Sequence, residues 1–89
     1  MLKSIKINVY GKVQGVGFRY SALQKANELG ITGFVKNRND GSVYIEADGE
    51  PEVLEQFILW CKQGPSWSRV DDIKVVEIPY NNYGNFGIK

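Results

Sequence analysis

The chain has 89 residues, enough for one small domain, and its 43% hydrophobic and 24% charged residues are ordinary for a globular protein. Eleven basic and ten acidic side chains leave a net charge of +1, which gives no overall positive field for a polyanion. The lack of histidine and the single cysteine, Cys61, exclude a histidine base, an internal disulfide and an ordinary zinc, copper or haem site. No apolar run approaches the length of a membrane span. We therefore expect a single cytoplasmic domain over residues 1–89.

The first quarter of the chain predicts a strand, a glycine-rich turn and a helix. Lys3–Val9 alternates apolar and polar residues, which is typical of a half-buried strand. Apolar residues at helical spacing over Tyr20–Leu29 predict a helix, and Gly30 suits its C-cap. Between the two segments lie glycines at positions 11, 15 and 17.

The rest of the chain predicts a hairpin, a second helix and two further strands. Ile31–Asn37 and Ser42–Ala47 are rich in strand-forming residues, and the Asp-Gly between them indicates a hairpin. Pro51 begins a core-facing amphipathic helix that contains Val53 and Cys61 and ends at Gly64-Pro65. Two further strands are predicted, at Val70–Ile78 and at Asn85–Ile88.

The resulting order of elements is β-α-β-β-α-β-β. Two βαβ-like halves with a hairpin between them are typical of the split-βαβ, ferredoxin-like arrangement in the α+β class. We expect an antiparallel sheet with two helices on one face.

The segment between the first strand and the first helix, Gly11–Arg19, favours an anion site. A helix entered through a glycine-rich turn presents unpaired backbone N–H groups and the positive end of its dipole. Gly15 and Gly17 allow the backbone to curl, and the guanidinium of Arg19 can bind two phosphate oxygens. Spacing alone equally allows a plain tight turn with a solvated Arg19. The pattern is neither a Walker loop nor a dinucleotide-binding turn.

These residues carry a resemblance to a known family. Gly-Lys-Val-Gln-Gly-Val-Gly-Phe-Arg at 11–19 is similar to the first signature of the acylphosphatases, and 33–37 with 40–43 resembles their second. Residues 64–71 and 83–88 look like later segments of that family, so the resemblance spans nearly the whole chain. It implies a ferredoxin-like fold and hydrolysis of the mixed anhydride between a carboxylate and phosphate, without a metal ion or organic cofactor.

The resemblance also implies roles for individual residues. It makes Arg19 the phosphate-binding side chain and Asn37 the residue that positions water; the backbone amides of Gln14, Gly15, Val16, Gly17, Phe18 and Arg19 form the phosphate cradle. A carboxylate leaving group is weakly basic, so positioning and electrostatics could replace acid or base catalysis. Apart from the resemblance, Asn37 reads as an ordinary strand-end residue that bonds to the adjacent turn.

Two other functions compete with hydrolysis. An open sheet face that combined Phe34 and Tyr44 with Lys36 and Arg38 would suit stacked RNA bases. Against this, the alternation of the strand places the acidic residues Glu46 and Asp48 on the same face as Tyr44. The other is a regulatory domain that keeps the anion pocket without turnover. We expect a monomer that takes a small-molecule acyl phosphate, releases inorganic phosphate and binds neither nucleic acid nor membrane.

The two tryptophans and the cysteine suggest packing more than chemistry. Trp60 lies beside the core stripe of the second helix and Trp67 in the loop after it, and we expect both to pack, with closure of the acyl side as the alternative. Cys61 is expected to be a small core residue, because no positive neighbour is evident that would lower its pKa. Lys12 and Lys36 are expected to be solvated.

Overall fold

The computed structural model describes residues 1–89, and the predicted order of elements is confirmed. The strands are β1 (Lys3–Lys12), β2 (Thr32–Asn37), β3 (Val43–Gly49), β4 (Arg69–Ile78) and β5 (Phe86–Ile88); the helices are α1 (Phe18–Leu29) and α2 (Pro51–Gln63). β1 is three residues longer than predicted, and α1 begins two residues earlier. Neither helix combines the length and the apolar character that a bilayer crossing requires.

The five strands form one sheet in the order β4-β1-β3-β2-β5. β3 pairs antiparallel with both β1 and β2, and β4 pairs antiparallel with β1. The expectation of an antiparallel sheet holds for these four strands, but β5 runs parallel to β2. The chain after β4 explains the exception: it passes Ser4 of β1 and Asp48 of β3 along one end of the sheet, so it reaches β2 at the end where β2 begins.

The core lies between the sheet and the two helices. Alternate residues Ile5, Ile7 and Val9 of β1 are buried on the helix side, as the period-2 pattern predicts. Phe57 and Cys61 of α2 meet them from the other layer, both fully buried. The expectation that Cys61 is a small core residue is confirmed by its full burial, and this burial raises the pKa of its thiol well above the usual range.

The opposite face of the sheet, which no helix covers, is partly closed by the segment before β5. Tyr83 packs edge-on against Phe34 with ring centroids 5.7 Å apart, and its hydroxyl donates to Glu46. Tyr44 also donates to Glu46, at 2.6 Å, and only 8% of Tyr44 and of Phe34 is exposed. Packing therefore occupies the two rings that an RNA-binding face would need for base stacking.

Candidate active site

The last residues of β1 and β2 bring the predicted site residues to the same end of the sheet. Both strands pair antiparallel with β3, so their last residues lie at the same end. Val35 of β2 is fully buried on the helix side, and Asn37, two residues later, continues that face. α1 packs over β2 and β5, and Phe18, Arg19 and Tyr20 of its first turn line the same cavity as Asn37.

The loop from Val13 to Phe18 is anchored by its apolar residues. Val13 and Phe18 are each 1% exposed, and Val16 packs against the core. The ring of Phe18 lies 5.4 Å from that of Trp60 on α2, centroid to centroid, so the expectation that Trp60 packs is confirmed. Gly15, Gly17 and Arg19 alternate with these anchors and are exposed. The loop therefore directs its glycine backbone and the arginine outward.

The N-terminus of α1 leaves its N–H groups free. Gly17 is the N-cap residue with φ +80°, Gly15 has φ +73°, and no side chain caps the helix. Among the backbone hydrogen bonds outside helices and strands, none is donated by an amide of residues 14–19. The first turn contains no acidic residue. These are the conditions under which a helix N-terminus binds an anion.

A cavity of about 200 Å³ opens at this N-terminus. Its wall consists of Val13, Gly15, Gly17, Phe18, Arg19, Tyr20, Asn37 and Ile88. Of the predicted site residues, it brings together Gly15, Gly17, Phe18, Arg19 and Asn37, whereas Gln14 and Val16 do not border it. The volume is below the about 300–1,000 Å³ of pockets for drug-sized ligands, and it suits a small anionic group.

The two side chains expected to act on a substrate lack protein partners. Arg19 is exposed and takes part in none of the four ion pairs of the chain, and no carboxylate borders the cavity. The Oδ1 atom of Asn37 is buried and accepts no hydrogen bond. A buried acceptor without a partner costs about 1–3 kcal/mol, so such atoms are rare outside functional sites.

Three further features of the site were absent from the sequence prediction. Tyr20 and Ile88 line the cavity and are 60% and 43% exposed. The third feature is the side chain of Gln14, whose Nε2 donates to the carbonyls of Arg38 and Ser42, at 2.7 and 2.8 Å. Tyr20 could have been found from its place next to Arg19, but no sequence signal marks the other two.

Other parts of the surface lack an equivalent group of unpaired polar side chains. A larger groove of about 580 Å³ lies beside α1, but its two charged residues, Lys25 and Glu28, pair with each other at 2.9 Å. No three His, Cys, Asp or Glu side chains form a group that could hold a metal ion. Trp67 is 82% exposed and does not border the cavity, so the expectation that it packs is wrong: its loop carries it away from the core.

Comparisons with known proteins agree on one family. The family model for Acylphosphatase matches residues 5–88. An acylphosphatase of Ligilactobacillus salivarius is 46% identical over 88 residues, covering 98% of each chain, and one of Yersinia pseudotuberculosis is 45% identical over 82 residues, covering 91% of this chain and 89% of the relative. The crystal structure of acylphosphatase from Bacillus subtilis superposes with a TM-score of 0.95 at 41% identity, covering 100% of this chain and 99% of the other.

Proposed function

The chain belongs to the acylphosphatase family, and we propose that Arg19, Asn37 and the amides of residues 14–19 carry out its hydrolysis of an acyl phosphate. The observation that carries the proposal is the Oδ1 atom of Asn37, which is buried and has no hydrogen-bond partner. Asn37 lines the same small cavity as Arg19 and the uncapped N-terminus of α1. One end of that cavity suits an anion, and at the other lies a carboxamide whose oxygen has no partner in the protein.

The phosphoryl group binds at the loop. Its oxygens accept hydrogen bonds from free amides, of which those of Gly15, Gly17 and Phe18 belong to residues on the cavity wall. The guanidinium of Arg19 can donate two parallel hydrogen bonds to the same group. Charge-assisted hydrogen bonds contribute about 1.5–3 kcal/mol each, and these donors also stabilise charge on the equatorial oxygens in the transition state.

The attacking water binds to Asn37. The χ2 torsion of asparagine is broad, so the carboxamide can turn its oxygen into the cavity and accept a hydrogen bond from water. The water oxygen forms a bond to phosphorus while the bond between phosphorus and the acyl oxygen breaks, and the electron pair of that bond leaves with the carboxylate. One water proton passes to a phosphoryl oxygen. The products are a carboxylate and inorganic phosphate, and no metal ion enters the step.

The test is release of phosphate from acetyl or benzoyl phosphate by purified protein in EDTA. Arg19→Ala, which removes a transition-state donor, and Asn37→Ala, which removes the group that positions water, should each lower kcat/KM by about 100-fold or more. Lys62→Ala removes a positive charge and Asn27→Ala removes a carboxamide, both from exposed helix positions, and both variants should keep full activity.

Three outcomes would contradict this mechanism. In the first, the wild type hydrolyses no acyl phosphate in EDTA. In the second, Asn37→Ala turns over normally while folded. The third is phosphate binding without turnover, which would favour a regulatory domain.

We also propose that the enzyme works as a monomer in the cytoplasm and binds no nucleic acid. Cys61 is a free, buried thiol, and unpaired cysteines are usual in reducing compartments. A core of sixteen buried residues lies within the single chain. Sedimentation at the mass of one chain, 10.0 kDa, is the expected result, and a concentration-dependent dimer would contradict it.

A further inference from the structure

The side chain of Gln14 connects the phosphate loop to the β2–β3 hairpin, 24 and 28 residues away in sequence. Both of its amide hydrogens have partners: Nε2 donates to the Arg38 carbonyl at 2.7 Å and to the Ser42 carbonyl at 2.8 Å. A carboxamide nitrogen has two donors, so this group is fully used and its orientation is fixed.

The hairpin presents those two carbonyls in a rigid arrangement. The Arg38 carbonyl also accepts from the Gly41 amide at 3.2 Å, and the Ser42 carbonyl accepts from the Arg38 amide at 2.9 Å. Asp40 accepts from both the amide and the hydroxyl of Ser42, at 2.9 and 2.6 Å, and these bonds lower the pKa of Asp40. The turn therefore holds its shape through its own bonds, and Gln14 uses the remaining lone pairs of its carbonyls.

The contact lies one residue from the proposed water-binding side chain. Asn37 pairs with Val43 in the last register position of β2 and β3, and Arg38 and Ser42 are the next residues on either side of the turn. We propose that Gln14 is a positioning residue: its side chain sets the separation and the orientation of the phosphate loop relative to Asn37. This inference rests on the proposed function, because it acts through the water that Asn37 holds.

The loop's other anchors cannot do the same. Val13, Val16 and Phe18 hold it against the core through apolar contacts, which are not directional. In-line attack requires the phosphorus and the water oxygen at about 3–3.5 Å with aligned orbitals, and a displacement of about 1 Å can cost about 100-fold. Two hydrogen bonds to fixed carbonyls supply the direction that the apolar contacts lack.

Gln14→Met tests the proposal, because methionine is similarly long and unbranched but has no N–H donor. We expect kcat to fall by about 10- to 100-fold, while the inhibition constant of inorganic phosphate changes by less than about 3-fold, since Arg19 and the loop amides remain. Gln24→Met, an exposed position on α1, is the matched control and should change neither quantity. If Gln14→Met does not fold, Gln14→Asn, which keeps the donors but is one methylene too short, should show the same split.

A double-mutant cycle separates positioning from a merely structural effect. In the Asn37→Ala background, Gln14→Met should lower kcat by less than about 3-fold further, because the residue through which it acts is already gone. Equal effects in both backgrounds would overturn the inference, as would full activity of Gln14→Met. If Asn37→Ala is inactive and Gln14→Met is active, the inference alone fails; if Asn37→Ala is fully active, the proposed function fails with it.

Discussion

Alanine at Gly17 should weaken phosphate binding, whereas alanine at Gly30 should not. The two glycines are the N-cap and C-cap residues of α1, with φ +80° and +72°, and an added Cβ at either would meet no atom within 4 Å. The backbone strain of the two substitutions is therefore matched. They differ in one respect: Gly17 belongs to the cavity wall and Gly30 does not.

The effect on stability follows from the backbone alone. A left-handed conformation costs an L-residue about 1–2 kcal/mol. The smaller conformational freedom of alanine in the unfolded chain offsets about 0.4–1 kcal/mol of this. A net loss of about 1 kcal/mol lowers Tm by about 4–8 °C in a domain of this size, and we expect it in both variants.

The effect on the ligand should be confined to Gly17→Ala. Its methyl group would occupy open space beside the cavity, where a phosphoryl oxygen has to approach the amides, and should raise the inhibition constant of inorganic phosphate by about 10-fold or more, equivalent to one charge-assisted hydrogen bond. Thermal unfolding by circular dichroism and inhibition of acyl phosphate hydrolysis provide the two measurements. Wild-type phosphate affinity in Gly17→Ala, or an equal loss in Gly30→Ala, would refute the assignment of the anion to this helix end.

Three further predictions concern the remainder of the fold. Asp48, which is 3% exposed, accepts from the Ser4 hydroxyl and from the Tyr83 amide, so Asp48→Asn should destabilise by about 1–3 kcal/mol in urea unfolding, and an unchanged midpoint would contradict this role. Burial and the bond to Glu46 raise the pKa of Tyr44 from 10.0 to about 12. As the pH rises, the unfolded chain therefore loses the Tyr44 hydroxyl proton at a lower pH than the folded protein does. The stability that Tyr44 contributes below pH 10 should consequently be lost by about pH 12. Tyr44→Phe should lack this loss, and parallel pH curves for the two proteins would contradict the sign. Cys61 should react with thiol reagents only as fast as the protein unfolds; rapid, stoichiometric labelling of folded protein would show that the thiol is accessible.

The order of elements was predictable because each depends on a local pattern, whereas the boundaries depend on distant contacts. β1 continues through Gly11 to Lys12 because β4 pairs with it there across a register shift. α1 begins at Phe18 rather than Tyr20, and the Phe18 ring is buried against Trp60. Neither partner lies near these residues in sequence, so no periodicity could extend the predicted elements.

The parallel placement of β5 shows the same limit at the level of topology. Its direction depends on where the preceding segment is held, and that segment is held by Ser4, Asp48 and Gly33 of three different strands. A three-residue strand has too short a pattern to reveal its neighbour or its direction. For this reason, the sequence pattern could not predict that Ile88 lines the cavity.

The two halves of the proposed site differ in how far a sequence can specify them. An anion site at a helix N-terminus is made by residues that are close in sequence. Here Gly15, the N-cap residue Gly17 and Arg19 lie within five consecutive positions. The alignment of water is a relation between two segments, and only the resemblance pointed to Asn37. The Gln14 bonds to Arg38 and Ser42 join those segments through backbone carbonyls, which every residue type possesses, so the identity of the acceptors carries no signal. Binding of phosphate should therefore tolerate changes in the hairpin that turnover does not.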